Sequence, residues 1–392
     1  MAKDTSAPTD LIWALSACNF VIGMGAFIVV GLIDPVADAF TISRAAAGWL
    51  MTFYAISYAI LSPLLVSATG AIGRRRVLAL GMGMFALGAA GCAFAPNLPT
   101  LYASRALAAA GAGMFTPVAA AVTAAVSPAA VRGRALANVV FGLSLAQVFG
   151  VPAGSWVAYT FGWRMAFVMV LVLALIALVV VWLRVPRGLS LQPVSLRDLG
   201  RVLKDGLLIA VVLFTAAFLG PIYIIYTYLS PLLTDTMGFG RDGITLVLLI
   251  FGIAAVTGNQ LGGQMADALG AVKTLVILCL ALVFLMPLFS ALPFAKLGLF
   301  AVVFFWSMSC WAFMASQQIR LLALAPEEAS VVFALNAAAI YVGTATGAAV
   351  GGLVLEQFGL LALGIAGGIG ALGALGHVLW THRAAKLAGR EV

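Results

Sequence analysis

Polar residues interrupt the chain only briefly, and long apolar segments run between these interruptions. Repeated apolar segments of about 20 residues have the length that an α-helix needs to cross a lipid bilayer. The strands of a membrane barrel would instead be about 10 residues long, with alternating polarity. The pattern therefore predicts an all-α membrane protein.

Twelve transmembrane helices are predicted, six on each side of the polar segment RVPRGLSLQPVSLRDLGRVLKD. They lie near residues 11–33, 47–68, 77–95, 99–126, 135–160, 164–183, 207–232, 243–264, 274–293, 297–322, 331–355 and 360–380. We expect an N-terminal six-helix bundle at 1–183, a cytoplasmic linker at 184–206 and a C-terminal six-helix bundle at 207–392.

Small and aromatic residues of the fifth predicted helix recur at a fixed offset in the eleventh. Those that reappear 197 positions later are Gly150, Gly154, Phe161 and Gly162, as Gly347, Gly351, Phe358 and Gly359. A shared offset in two membrane-length segments indicates an internal duplication, which predicts two pseudo-symmetric bundles. Glycines three or four residues apart also form a flat stripe on which another helix can lie closely.

Composition supports the membrane assignment, and the distribution of charge predicts an orientation. The chain is 64% hydrophobic and 9% charged, whereas soluble domains carry roughly 25% charged residues. Most of the 21 basic residues fall in loops on the side of the N-terminus, and the opposite loops hold only Arg44, Arg164, Arg241 and Lys296. The positive-inside rule then predicts cytoplasmic termini in a multi-pass protein of the inner (plasma) membrane. The net charge of +8 is thus a topology signal, and no nucleic-acid partner is expected.

Arg105 is the one charge well inside a predicted helix. Holding an arginine near the bilayer centre costs at least about 2.5 to 3.5 kcal/mol, so its side chain is predicted to face the bundle interior or water. Binding an anionic substrate and clamping the backbone of the first helix are both open roles.

Interior aromatic and amide side chains predict a site for a moderately apolar, largely uncharged small molecule. Tyr223 and Tyr226 lie beside Pro221, and a proline-broken helix at the interface between repeats is where such sites usually form. Interhelical packing is the alternative role for each residue taken singly. The candidate substrate-binding residues are Asn19, Phe27, Tyr58, Arg105, Gln147, Tyr223, Tyr226, Trp311, Gln318 and Asn336.

Charged residues in four cytoplasmic loops predict a gate. Paired crosswise between the two halves, they would form a latch that holds an outward-facing state; solvated charges without partners are the alternative. The candidate gating residues are Arg74, Arg75, Arg132 and Arg134 in the first half, and Asp267, Glu327 and Glu328 in the second.

Groupings typical of enzymes do not occur in the sequence. The cysteines stand singly inside apolar runs, without the spacing of metal ligands or of a redox motif. No strand precedes the glycine-rich runs, so they are not nucleotide-binding loops. We expect no enzymatic activity, no metal and no cofactor.

Three stretches resemble a known family. The loop NQLGGQMADALGAVKTL resembles the signature of the major facilitator superfamily through Gly263, Ala266, Asp267, Gly270 and Lys273. The first-half copy of this loop keeps Gly73, Arg74 and Arg75. It departs from the signature at Val66, Gly70 and Ala71, which stand in place of Gly, Asp and Arg. Arg105 in LYASRALAAAGAGMF matches the family's fourth-helix arginine motif. This resemblance implies a third role for Arg105, the tuning of a proton site. Because the motif occurs across varied substrates, we favour the clamp or the coupling role over direct binding. The stretch GLSLAQVFGVPAG resembles the fifth-helix motif of exporters. The sequence is most similar to the twelve-helix drug:proton antiporter branch, with its sugar-efflux and chloramphenicol-export-like members.

The resemblance implies a secondary active transporter with a central cavity that opens alternately to each side. Proton-coupled efflux of a drug, sugar or metabolite by a monomer is the expectation. Relatives often carry an acid in the first helix, where this chain has Ala26 and Gly31, so Asp34 is the only plausible acidic carrier there. Asp34 and Arg105 are the candidate coupling residues. An uncoupled facilitator, an importer and a non-transporting sensor are the alternatives.

Overall fold

The structure is a computed structural model that describes residues 9–128, 131–189 and 202–390. Within these ranges it contains twelve helices that are long enough and apolar enough to cross a membrane. They are α1 Thr9–Gly31, α2 Arg44–Ala68, α3 Arg74–Ala93, α4 Leu98–Val126, α5 Arg132–Phe161, α6 Trp163–Arg184, α7 Gly206–Met237, α8 Arg241–Leu269, α9 Ala271–Ala291, α10 Lys296–Leu324, α11 Val331–Phe358 and α12 Ala362–Leu387. The twelve-helix prediction is confirmed. Most of the linker, residues 190–201, lies outside the described ranges.

Local sequence signals set the ends of several helices. The side chains of Ser43, Asn97 and Asp205 accept hydrogen bonds from backbone N–H groups in the first turns of α2, α4 and α7, which is the usual way to satisfy donors at a helix start. Gly162 and Gly359 link α5 to α6 and α11 to α12 with φ of 93° and 82°. Only glycine adopts such a φ without strain, so the two connections are equivalent in conformation as well as in sequence.

The predicted glycine stripes are packing surfaces. A Cβ at Gly150 of α5 would lie 2.9 Å from the Cβ of Met24 on α1, and one at Gly351 of α11 would lie 2.8 Å from the carbonyl oxygen of Ile224 on α7. The absence of side chains therefore lets α5 lie against α1 and α11 against α7, as expected for helices that associate in lipid.

The two halves share one arrangement of neighbours. In the first half α1 packs on α5 and α6, α2 on α4, and α3 on α4 and α6. In the second half α7 packs on α11 and α12, α8 on α10, and α9 on α10 and α12. Each contact in one half thus has a counterpart six helices later, as the internal duplication requires.

The halves meet along two helix pairs, α2 with α11 and α5 with α8. We call the ends that carry Arg44, Arg164, Arg241 and Lys296 the outer face and the opposite ends the inner face, following the predicted orientation. The segment 146–161 of α5 packs along α8, whereas Arg132–Leu145, nearer the inner face, contacts it little. The bundles are therefore joined mainly through their outer halves.

Several helices are interrupted where candidate residues lie. The regular winding of α1 ends at Phe27 and tightens over Ile28–Gly31, and α5 widens into a π-helical turn at Ala146–Gly150. α7 breaks after Tyr226 and α10 after Trp311. Such irregular turns free backbone groups and redirect side chains, and they frequently occur at functional sites.

Candidate functional site between the bundles

Arg105 holds the broken end of α1. Its Nη1 donates to the carbonyl oxygen of Gly25 at 2.6 Å and its Nη2 to that of Ala26 at 2.8 Å, while Nε donates to Leu50 at 3.3 Å. The last four carbonyls of an α-helix have no partner within the helix, so the guanidinium caps two of them. The geometry is that of a clamp between α4, α1 and α2.

The charge of Arg105 is stabilised without a carboxylate among the described residues. The side chain is 1% exposed, and the guanidinium carbon lies 4.3 Å from the centre of the Tyr54 ring. The negative end of the α1 helix dipole and the ring face both favour a cation here. Arg105 therefore fixes the position of α1 at the point where the regular helix stops.

A group of aromatic side chains lies across the boundary between the bundles. The rings of Phe27 and Tyr223 stack at 6.5 Å, those of Tyr223 and Tyr226 meet edge to face at 5.7 Å, and that of Tyr226 stacks on Phe251 at 4.3 Å. We call these four residues together with Gln147 the aromatic cluster. It unites residues of α1, α5, α7 and α8.

Gln147 is the polar member of the aromatic cluster. Its side-chain oxygen accepts a hydrogen bond from the hydroxyl of Tyr226 at 3.0 Å, while its buried Nε2 has no partner in the part of the chain that the structure describes. Gly252 lets the two bundles approach here, because a Cβ at that position would lie 2.5 Å from the carbonyl oxygen of Gln147. The π-helical turn thus presents one free donor within an apolar setting.

The other candidate amides on α1 and α11 are used inside their own bundles. Asn19 donates to the carbonyl oxygen of Val139 at 3.1 Å and accepts from the hydroxyl of Thr116 at 3.1 Å. Asn336 accepts from the hydroxyl of Thr215 at 2.5 Å. Both side chains are buried, and these contacts tie neighbouring helices together.

The remaining candidates lie outside the aromatic cluster. Tyr58 stacks on Tyr341 of α11 with ring centres 3.6 Å apart, so it contributes a second aromatic contact between the bundles. Trp311 is half-buried and its ring nitrogen has no hydrogen-bond partner among the described residues, whereas Gln318 is exposed. The seven-residue spacing of Trp311 and Gln318 spans the interruption of α10.

A charged network closes the outer face. Arg44 donates from Nε to Asp34 at 2.8 Å and from Nη1 and Nη2 to Asp235 at 2.6 and 2.8 Å. Asp34 also accepts hydrogen bonds from the hydroxyls of Tyr159 and Thr234. Asp235 and Thr234 belong to the second bundle, so one guanidinium joins the two halves. We call Asp34, Arg44 and Asp235 the outer triad.

Burial distinguishes the two acids of the outer triad. The Asp34 side chain is 11% exposed and that of Asp235 is 44% exposed. Burial raises the pKa of the Asp34 carboxyl above its ordinary value of 3.8, and the charge of Arg44 opposes this shift. Asp34 therefore binds a proton more readily here than a carboxyl in water does.

Sequence reasoning missed Arg44 and Asp235, although the repeat carried a signal for them. Asp38 and Asp235 are 197 positions apart, and so are Arg44 and Arg241. A crossed pairing of the two copies predicts Arg44 with Asp235, which occurs. The reciprocal pairing does not, because Arg241 pairs with its neighbour Asp242 at 2.7 Å. Phe251 and Tyr341 were missed because no polar pattern marks them.

The candidate gating residues lie near the inner face without the predicted cross-pairs. Within the described ranges Arg75, Arg132 and Arg134 make no ion pair with the three acids Asp267, Glu327 and Glu328. The guanidinium of Arg75 lies 4.3 Å from the Trp182 ring, and Arg74 is buried and donates to the carbonyl oxygen of Gly70. The latch was predicted for a state closed at the inner face, so it stays a prediction.

Comparison with known proteins places the fold and the family. Residues 15–333 match the family model described as Major Facilitator Superfamily. The inner membrane transport protein YdhP of Escherichia coli K12 is 31% identical over 88% of each chain, and a probable sugar efflux transporter of Mannheimia succiniciproducens is 29% identical over 92% of this chain and 90% of its own. The solved structure of a bacterial homologue of the human lysosomal transporter Spinster, inward-facing and occupied, superimposes with a TM-score of 0.76 at 18% identity, covering 96% of this chain and 98% of that one.

Proposed function

Since the chain belongs to the Major Facilitator Superfamily, we propose that it is a secondary active transporter that exports a small, moderately apolar molecule in exchange for protons. Alternating access is the working mechanism: the bundles rock so that a site between them opens to one face at a time. A bundle pair joined at its outer face corresponds to a state open toward the inner face. Export would begin from this state.

The aromatic cluster is the observation that carries the proposal. Four rings from both bundles contact one another in sequence, and the hydroxyl of Tyr226 donates to an amide whose nitrogen has no partner among the described residues. Such a mixture of apolar walls with a few polar groups is typical of sites for small molecules. An uncharged body with one hydrogen-bond acceptor fits this lining. Because the cluster joins helices of both bundles, a bound molecule there would sense the relative position of the two halves.

Asp34 supports proton coupling. Its pKa is raised where the outer face is closed, so protonation favours this closed arrangement relative to one in which the carboxyl is in water. The contribution is complete below 3.8 and is lost as the pH rises through the raised pKa. A proton taken up from the outside would thus help the outer face to close, and its loss to the inside would help the face to open for the next export step.

The test is transport by the full chain in proteoliposomes, with a panel of uncharged aromatic and sugar-like compounds, with and without an imposed pH gradient. We expect uptake of at least one apolar compound against its gradient when the compartment that receives the compound is acidic. Gln147→Leu should reduce that transport about tenfold, since one hydrogen bond to a buried group is worth about 1.4 kcal/mol. Gln264→Leu, at an exposed position of α8, is the matched control. Compound movement that ignores the pH gradient would favour the uncoupled facilitator instead.

Asp34→Asn tests the coupling residue. The amide keeps the shape of the side chain but cannot titrate, so we expect compound equilibration to survive while accumulation driven by the pH gradient is lost. Asp38→Asn is the control, because Asp38 is exposed and four residues away in the same short helix Ile33–Phe40. Full pH-driven accumulation by the Asp34→Asn protein would exclude this carboxyl as the proton carrier.

A further inference from the structure

A second arginine lies fully buried in the C-terminal bundle, away from the aromatic cluster. Arg320 of α10 is 0% exposed, and its Nη2 donates to the hydroxyl of Thr381 on α12 at 2.7 Å. Its Nε and Nη1 are buried and have no hydrogen-bond partner among the described residues. Two strong donors of a charged group thus remain unused.

Nothing in the described part of the chain neutralises this charge. A guanidinium does not lose its proton in a protein, and a buried charge is costly unless it is paired. Arg320 makes no ion pair with any described carboxylate. The position therefore calls for an anion that the described residues do not supply.

The surroundings of Arg320 are also cationic or donating. The buried ring nitrogen Nδ1 of His382 has no partner in the described ranges, and Lys386 and Arg320 both lie within electrostatic range of that ring. Arg383 and Lys386 are exposed at the end of α12. The contact between α10 and α12 at Arg320 and Thr381 therefore brings donors and positive charge together.

The depth of this contact between α10 and α12 suits a lipid headgroup. Arg320 precedes the end of α10 at Leu324 by four residues and Thr381 precedes the end of α12 at Leu387 by six, which corresponds to about 6 and 9 Å along the helices. A phosphate at the inner ends of α10 and α12 would lie within about one arginine side-chain length of this depth. Ile319 and Trp380, beside the two polar residues, are 45% and 58% exposed, as expected of side chains that face lipid.

We propose that Arg320, Thr381 and His382 form a binding site for the phosphate group of an anionic phospholipid at the inner face. Arginine binds phosphate oxygens through paired, charge-assisted hydrogen bonds, and basic pockets between transmembrane helices on the cytoplasmic side bind anionic headgroups. The site lies on α10 and α12, away from the aromatic cluster. A lipid bound there would stabilise the packing of these two helices in the C-terminal bundle.

The experiment measures thermal unfolding of the delipidated full chain in a neutral detergent. Phosphatidylglycerol, phosphatidylcholine and inorganic phosphate are titrated separately. We expect a saturable rise of the Tm with phosphatidylglycerol and none with phosphatidylcholine. Arg320→Met should weaken the apparent affinity about tenfold or more, because it removes a charge-assisted contact. Arg76→Gln, which removes an exposed charge at the inner face of the first bundle, should leave the affinity nearly unchanged.

The arms separate the two sources of phosphate. A rise that inorganic phosphate reproduces, and that Arg320→Met abolishes, assigns the site to the free anion; a rise with phosphatidylglycerol alone assigns it to lipid. A response of Arg320→Met equal to that of the unmodified chain, or an equal response to phosphatidylcholine, overturns the proposal. If Arg320→Met does not fold, Thr381→Val and Arg320→Lys replace it, and unchanged affinity in both would equally overturn the site.

Discussion

Two buried arginines, Arg105 in the first bundle and Arg320 in the second, differ in how many of their guanidinium donors are hydrogen-bonded. Arg105 donates to three backbone carbonyls and lies against a tyrosine ring, whereas Arg320 donates to one hydroxyl and has two nitrogens without a partner among the described residues. Neither pairs with a described carboxylate. Arg105 is therefore a complete structural contact, whereas Arg320 has donors that no described residue uses.

The difference does not follow the internal repeat. Val302 occupies the position 197 residues after Arg105, and Thr123 the position 197 residues before Arg320. The helices of the two bundles are thus equivalent while their buried charges are not. A buried charge that appears in one copy only has a local reason, which is a helix end for Arg105 and, in our proposal, a phosphate for Arg320.

The largest expected effect is that of Arg105→Met. The substitution removes three hydrogen bonds to buried carbonyl oxygens, and we expect a loss of about 3 kcal/mol or more in unfolding free energy. Denaturant unfolding in detergent measures this loss, and transport should fall with it because α1 is no longer held. Arg105→Lys keeps the charge but cannot reach three acceptors at once, so it should recover only part of the stability. A change below about 0.5 kcal/mol would contradict the clamp.

Arg320→Met should have the opposite sign in neutral detergent without added anion. Replacing buried ionic groups by apolar ones of similar size is often neutral or stabilising by about 1 to 4 kcal/mol. We therefore expect unfolding at equal or higher denaturant concentration than in the unmodified chain. A destabilisation as large as that of Arg105→Met would show that the two arginines are equally satisfied, and the comparison would fail.

The smallest expected effect concerns the ring beside Arg105. Tyr54→Leu removes a cation–π contact and should cost about 1 kcal/mol beyond the loss of packing. Tyr54→Phe keeps the ring, and the hydroxyl of Tyr54 is buried without a partner among the described residues, so this variant should be neutral or slightly stabilising. Equal losses in both variants, measured by the same unfolding assay, would mean that the hydroxyl rather than the ring matters.

The hydrophobic pattern was enough to predict the twelve helices. Apolar length is a local property, and the offset of 197 between Gly150 and Gly347 reports equivalent helix packing directly. The sequence predicted Gln147, Tyr223 and Tyr226 as interior candidate residues, but it did not predict that they lie in one cluster. Their contacts depend on the π-helical turn of α5 and the break in α7, which arise from packing between helices and have no period in the sequence.

Partners of single polar side chains were the least predictable. Asn19 and Asn336 are interior amides like Gln147, yet hydroxyl or carbonyl groups of neighbouring helices satisfy them. Which amide keeps a free donor depends on distances of a few tenths of an ångström across helix interfaces. The pair Arg44 and Asp235 was predictable in principle, because both positions have counterparts at the repeat offset.

Gly252 gives the contact between α5 and α8 a mechanical property. Because Gly252 has no side chain, its backbone lies against the backbone of Gln147 and Val148. No side chain of α8 therefore inserts into α5 at that level. The backbones of α8 and α5 therefore lie in direct contact at this level. A methyl group at this position would clash with the backbone of α5 and push α8 and α5 apart.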